Sequence, residues 1–214
     1  MEDKSSRKIG KYEIVGKIAQ GGMGALYKAR HPTLDRVVLL KKLTLRGGAQ
    51  FVERFRREAR LMMDFKHEQI VHVYDHFKEG SSYYIVEEFV DGLSLDALIR
   101  RDRYLSNEAA MLILYEVCQA LKYAHDKHVV HRDIKPGNIL LSLRGEVKLA
   151  DFGIATSLEE SEDGLTREGM MLGTPSYVPP EQIDDAKSVD KRADIYSLGV
   201  VLYEMLTGKT PFPG

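Results

Sequence analysis

Between Tyr12 and Val90 apolar and polar positions alternate in short runs broken by glycine and proline, the pattern of half-buried strands. Tyr12 to Ile18, Ala25 to Arg30 and Val37 to Leu43 are predicted strands, joined across Gly21-Gly22 and His31-Pro32. From Phe51 to Phe65 the spacing turns helical. Phe51, Phe55, Ala59 and Met62 share one face, while Arg54, Arg56, Arg57 and Arg60 fall largely elsewhere. Ile70 to Phe77 and Tyr83 to Val90 return to strand as a predicted hairpin. Beyond Asp91-Gly92 the texture becomes helical. Leu95 to Arg100 is a short helix, and Asn107 to His125 a longer one with Ser106 as its N-cap. Asp194 to Leu206 is a strongly apolar helix that stops at Gly208, a C′ residue. The expected class is therefore α+β: an extension over 1–11, a sheet-rich region over 12–90 and a helix-rich region over 91–214. A cleft between two such regions is a natural ligand site.

Composition narrows the function. The chain has 214 residues and a formal net charge of −1, so no broad basic face argues for nucleic acid as a partner. Cys118 is the only cysteine, which excludes an internal disulfide and a CxxC zinc site. The first residues, MEDKSSRK, lack an apolar signal core, and no run reaches the ~20 apolar residues of a membrane span. A cytoplasmic location is expected, on the cytosolic side if the parent protein is membrane-anchored downstream. His72 and His76 are spaced by four, but in a strand that spacing does not converge on a metal.

Chemistry concentrates in VVHRDIKPGNILL, residues 129–141, where apolar flanks bracket a polar packet around a Pro-Gly turn. Asp133 can accept a hydroxyl proton, Lys135 can neutralise charge on a transferring phosphoryl group, and Asn138 can offer its amide oxygen to magnesium. VKLADFGIA, residues 147–155, supplies Asp151 as a hard oxygen ligand on a turn permitted by Gly153. IAQGGMGALY, residues 18–27, is a glycine turn whose bare N–H groups can approach phosphate; alone, such a turn is more often only a turn. Lys41 on the third strand and Glu58 on the following helix can pair, which alone would read as an ordinary surface pair.

Taken in order, these motifs make the chain resemble the protein kinase family, in particular the serine/threonine kinases of the bacterial type. The likeness runs from about Tyr12 to the last residue and includes GTPSYVPPEQ, residues 173–182, and the DIYSLGVVLYEMLTGKTPF that follows Ala193. It implies a two-lobe fold, an antiparallel-sheet N-lobe with one main helix and a mainly helical C-lobe. It also implies transfer of the γ-phosphoryl group of MgATP to serine and threonine hydroxyls of proteins, autophosphorylation included, with Mn²⁺ as an alternative metal. By resemblance Asp133 orients or deprotonates the acceptor, Lys135 stabilises the γ-phosphoryl group, and Asn138 and Asp151 hold the metal. Lys41 grips the α- and β-phosphates, braced by Glu58. The nucleotide pocket is expected from Ile18, Ala19, Gly21, Gly24, Leu26, Leu39, Lys41, Glu88, Val90 and Leu140. His131 and Phe152 are expected to pack rather than react, and Lys135 with Thr174 points to serine/threonine specificity.

The sequence also departs from the family pattern. Ala19 replaces the first loop glycine, and Leu39 replaces a small residue in the roof over adenine, narrowing it. Glu87 stands at the gatekeeper position, where an uncharged residue is usual. A carboxylate there either captures Lys41 or turns to water. In the activation segment Thr166 is a candidate phosphosite or an ordinary loop threonine, and Glu168 replaces a second threonine. Arg132 is the expected reader of that charge, and Glu168 partly imitates a phosphate. Pro179 stiffens the approach to Pro180-Glu181. The family normally continues beyond Phe212 through further helices, so the C-lobe is expected to be incomplete, with apolar surface of the Asp194–Leu206 helix covered by a second copy or another chain. The rival reading is a pseudokinase-like binding or scaffold module, supported by Leu39, Glu87 and the expected absence of the C-terminal helices. A small-molecule kinase of related fold is disfavoured by GTPSYVPPEQ.

Overall fold

The computed structural model describes residues 7–21, 24–43, 49–152, 175–184 and 189–212. The chain divides into two compact units, one of residues 1–66 and 71–89, the other of residues 67–70 and 90–214.

Among the described residues the first unit is an antiparallel sheet with one helix. Its strands are β1 (Lys8–Ile9), β2 (Tyr12–Gly21), β3 (Gly24–Arg30), β4 (Val37–Leu43), β5 (Val73–Glu79) and β6 (Ser82–Glu88), and its helix is α1 (Ala49–Met63). The six strands lie in the order β1-β2-β3-β4-β6-β5. Alternation fixes the two faces, because successive side chains point to opposite sides. Tyr27, Ala29, Val38, Leu40, Tyr84 and Val86 fill a core on one side, with Tyr12 stacked on Phe77 at 5.8 Å between ring centroids. Each fully buried leucine or valine there contributes about 1.5–3 kcal/mol. α1 packs against β5 on the other side and sets Phe55 edge-on to Tyr83 and His76. Gly24 shows why the glycine turn is tight: at φ +156°, a Cβ there would lie 1.8 Å from the Lys42 carbonyl oxygen.

Boundaries shift from the sequence reading where long-range pairing decides them. β5 starts at Val73 rather than Ile70, because Ile70 bridges Leu149 in the second unit. Lys8–Ile9, read as extension, pairs with β2 as an edge strand.

The second unit contains β7 (Gly92–Ser94), β8 (Ile139–Ser142) and β9 (Val147–Leu149) in a three-stranded antiparallel sheet. Its helices among the described residues are α2 (Leu95–Asp102), α3 (Asn107–Asp126), α4 (Pro180–Asp184) and α5 (Lys191–Thr207). Caps set the helix starts. The hydroxyls of Ser94 and Ser106 each accept a backbone N–H at 3.2 Å, and Asp190 accepts that of Arg192 at 2.8 Å. Gly208 ends α5 in the left-handed region at φ +73°. α3 packs against α5 and β9. α5 buries Leu198, Val201 and Met205, while Ile195, Tyr203 and Leu206 remain exposed, the apolar surface expected of this helix. Val129-Val130, read as strand-like, is irregular. Among the described residues no helix is long and apolar enough to cross a membrane.

Candidate active site

In the second unit the packet from His131 to Asn138 is held from beneath by buried groups. The Asp194 carboxylate is 1% exposed and accepts the backbone N–H of His131 at 2.9 Å and of Arg132 at 2.8 Å. His125 Nε2 lies 2.7 Å from the same carboxylate. These bonds support Arg132 in a left-handed conformation, φ +65°, which costs a non-glycine residue of order 1–3 kcal/mol. The sequence reading used Asp194 only as the start of an apolar helix. An acidic residue in the first turn of so apolar a segment was the available signal.

His131 is fully buried. Its Nε2 lies 2.9 Å from the Ala150 carbonyl oxygen, and its Nδ1 is 3.2 Å from the Asp133 N–H. A neutral ring, donating from Nε2 and accepting at Nδ1, satisfies both contacts. Burial lowers the His131 pKa, in keeping with that neutral form. The ring packs on Phe152 at 4.5 Å between centroids. His131 ties the 131–138 loop to the strand end before Asp151.

The packet around Asp133 is itself compact. Lys135 Nζ donates to both Asp133 carboxylate oxygens, at 2.9 and 2.7 Å. Asn138 Nδ2 donates to the Asp133 carbonyl at 2.8 Å and to its carboxylate at 2.9 Å. Ile134 and Pro136 are buried and pin the loop between these polar groups, and Asn138 stands on a 3₁₀ turn, Pro136–Asn138. With the amide nitrogen of Asn138 committed to Asp133, its oxygen is the atom suited to a cation. The Ala150 N–H donates to the Asn138 carbonyl at 2.8 Å, which sets Asp151 beside it. Asp151 is exposed and left-handed at φ +58°. One carboxylate and one amide oxygen suit Mg²⁺, which keeps several waters and phosphate oxygens and does not need an all-protein cage. Among the described residues no cluster of three His, Cys, Asp or Glu side chains forms such a cage.

Beside this packet a small depression is lined by Arg132, Asp133, Lys135, Tyr177 and Val178. The Tyr177 hydroxyl donates to Glu204 at 2.5 Å, and Ser197 donates to the Tyr177 carbonyl at 2.7 Å. Burial, then the Glu204 carboxylate, pushes the Tyr177 pKa up. Gln182 donates to the Arg132 carbonyl at 3.2 Å, which joins α4 to the loop. Leu140, on β8, is half-buried opposite Ser94 and Lys148, and Val90 is half-buried. Thr166, Glu168 and Thr174 lie outside the described residues.

In the first unit, register gathers Ala19, Leu26, Leu39, Lys41 and Glu87 on one face, while Glu88, next to Glu87 on β6, points to the other. Directly opposed residues share a face. One row runs Ala19, Leu26, Lys41, Ile85, and the next runs Lys28, Leu39, Glu87, Val73. Gly21 and Gly24 close the β2–β3 turn opposite each other. Ile18 falls at a bulge and is 51% exposed. Lys41, Leu26 and Leu39 are half-buried, and so is Glu58, one turn from buried Phe55 and Met62 on α1. Glu88 donates its N–H to the His72 carbonyl at 2.8 Å, and its carboxylate accepts the His72 N–H at 3.3 Å. Glu87 is only 6% exposed. That corrects the reading in which its carboxylate turns to water: β6 is buried on both faces, from Ser82 to Glu87.

Comparison with known proteins supplies the family. Residues 12–214 match the family model described as protein kinase domain. The chain is 41% identical over 207 residues to the serine/threonine-protein kinase PrkC of Bacillus subtilis, covering 96% of this chain and 32% of PrkC. It is 41% identical over 206 residues to PknL of Mycobacterium tuberculosis, covering 95% of this chain and 51% of PknL. Against PknB of Mycolicibacterium smegmatis it is 40% identical over 210 residues, 95% of this chain and 33% of PknB. The chain therefore spans about a third to a half of the length of these relatives. A crystal structure of Rad53 residues 1–466 in complex with AMP-PNP superposes with a TM-score of 0.78 at 28% identity, covering 95% of this chain and 50% of the other. A match over nearly the whole sequence, on an α+β fold carrying the packet around Asp133, makes the chain a member of the protein kinase family.

Proposed function

We propose that the chain is a serine/threonine protein kinase, transferring the γ-phosphoryl group of ATP to serine and threonine hydroxyls of proteins, itself included. The supporting observation is the Asp133 carboxylate, fixed by Lys135 at 2.7 and 2.9 Å and by Asn138 at 2.9 Å. In the step, the acceptor oxygen bonds to the γ-phosphorus, the bond to the β–γ bridging oxygen breaks with ADP as leaving group, and the hydroxyl proton passes to Asp133. Such a reaction asks the protein mainly for alignment and for compensation of spread charge. Asp133 orients the acceptor, and Lys135, bridging its carboxylate, faces the charge on the transferring group. Lys41, braced by Glu58, holds the α- and β-phosphates. Ile18, Ala19, Gly21, Gly24, Leu26, Leu39 and Glu88 of the first unit, and Val90 and Leu140 of the second, are the proposed nucleotide-contacting residues. Asn138 and Asp151 would hold Mg²⁺ or Mn²⁺, which when bound neutralises phosphate charge.

Transfer of labelled γ-phosphate to a generic protein substrate tests this reading, with Asp133→Asn as control. Signal from the wild type and little from the variant is expected; equal signal from both sinks it. Phosphate mapped to Thr166 after incubation with MgATP is the expected autophosphorylation, and its absence removes that part. The activity is proposed to belong to the cytoplasm, in keeping with the lone Cys118. The exposed Ile195, Tyr203 and Leu206 support a covering chain, which light scattering tests: association supports it and a monodisperse monomer removes it. The buried Glu87 favours one competing reading, a scaffold with weak nucleotide binding, and calorimetry with MgATP separates the two.

A further inference from the structure

Glu87 is a buried carboxylate on the sheet face that carries Lys41, and the proposed reaction gives it no role. Burying a carboxylate costs several kcal/mol unless a cation or hydrogen-bond donors meet it. The ladder limits which cation can do so. Lys28 stands in the same row but beyond Leu39, and its ammonium lies 4.3 Å from the Phe89 ring centroid. His72 Nδ1 is 3.2 Å from the Phe65 carbonyl oxygen. His76 sits edge-on to Phe55, and burial lowers its pKa, favouring the uncharged ring. Arg56, Arg57 and Arg60 of α1 are exposed. Lys41 is in the adjacent row, opposite Ile85 and therefore diagonal to Glu87 on one face. Diagonal cross-strand neighbours stand roughly 7–8 Å apart, within reach of a lysine and a glutamate side chain. Neither side chain is without a partner.

We propose that Glu87 holds Lys41 in the nucleotide-free chain, a latch that incoming phosphate must displace. The pair itself stands on register and burial alone; its competition with phosphate rests on the kinase reading. Glu87 is thus a positioning residue, acting through Lys41 on affinity for the nucleotide and not on the transfer step. It also makes Lys41 answer to two carboxylates, Glu58 from the helix and Glu87 from the sheet. The latched lysine is charge-compensated when the site is empty, and it is released when the phosphates offer more negative charge.

Two measurements on the full chain test this. The first is a melting cycle without nucleotide. Lys41→Met is expected to lower Tm by about 8 °C with Glu87 present, since it strands a buried charge, and by less than half as much in a Glu87→Met background. Equal drops in the two backgrounds overturn the latch. The second compares MgATP binding by calorimetry in the wild type and in Glu87→Gln, which keeps side-chain size. Affinity is expected to rise roughly tenfold, the change for a Lys41 available to phosphate a tenth of the time. KM for ATP should fall in step while kcat stays within about twofold. Unchanged or weaker binding overturns the latch and leaves the kinase reading standing. Coupled melting with no MgATP binding by either protein overturns the kinase reading and the competition with phosphate, while the Lys41–Glu87 pair stands.

Discussion

The loop from His131 to Asn138 and the sheet face bearing Leu39, Lys41 and Glu87 hold their side chains by different means. In the loop, side chains bond backbone: Asp194 fixes two N–H groups, His131 accepts a third, and Asn138 reaches the Asp133 carbonyl. On the sheet, backbone bonds backbone, and the side chains follow from ladder register. A loop of this kind loses its geometry when one buried polar group is removed. A sheet face keeps its geometry through side-chain changes and loses it when the backbone is displaced. Substitutions in the two regions should therefore fail in different ways.

The largest effect belongs to chemistry without structure. Asp133→Asn is expected to cut phosphotransfer about a thousandfold and to shift Tm by no more than about 2 °C, checked by steady-state kinetics beside a thermal melt. A large Tm loss would show that Asp133 supports the loop instead. Next, Asp194→Ala should cost about 4 kcal/mol, because it strands the buried N–H groups of His131 and Arg132. That is a Tm drop of about 10 °C, read by calorimetry, with Asp194→Asn losing less.

The sheet is challenged through its backbone. Gly24→Ala sets a Cβ against the Lys42 carbonyl and should cost about 2–3 kcal/mol. Hydrogen exchange should quicken along β3 and β4 and stay unchanged in α3 and α5; quickening in both units would erase the contrast. The smallest effect is Tyr12→Phe, which removes the hydroxyl bond to Asp75 at 2.9 Å and costs about 1 kcal/mol near neutral pH. Burial, then the Asp75 bond, raises the Tyr12 pKa. The raised value means the neutral phenol is favoured in the folded chain. From neutral pH upward, the wild-type advantage is therefore complete below the ordinary tyrosine value near 10 and is lost as pH climbs through the higher folded value. Denaturation of both proteins across that range checks the sign.

Much of the fold was legible because period and punctuation are local. The strands from Tyr12 to Leu43 and the caps at Ser106 and Gly208 stand where spacing and capping residues put them. Ile70 did not, because its partner, Leu149, is distant in sequence and no local rule announces it. The residues expected to act, from Asp133 to Asn138, were legible as a motif. Asp194 was missed because an acidic residue ahead of an apolar run looks like a helix start, and its partners are more than sixty residues away.

From sequence alone came the family, the α+β class and the identity of the polar packet, since each depends on residue type and short spacing. Only the tertiary structure decided that Glu87 is buried, that Leu39 stands opposite it with Lys41 diagonal, and that Asp194 grips the loop. The reason is physical: burial and pairing are properties of chain segments brought together by register and packing, and a buried carboxylate carries the same letter as an exposed one.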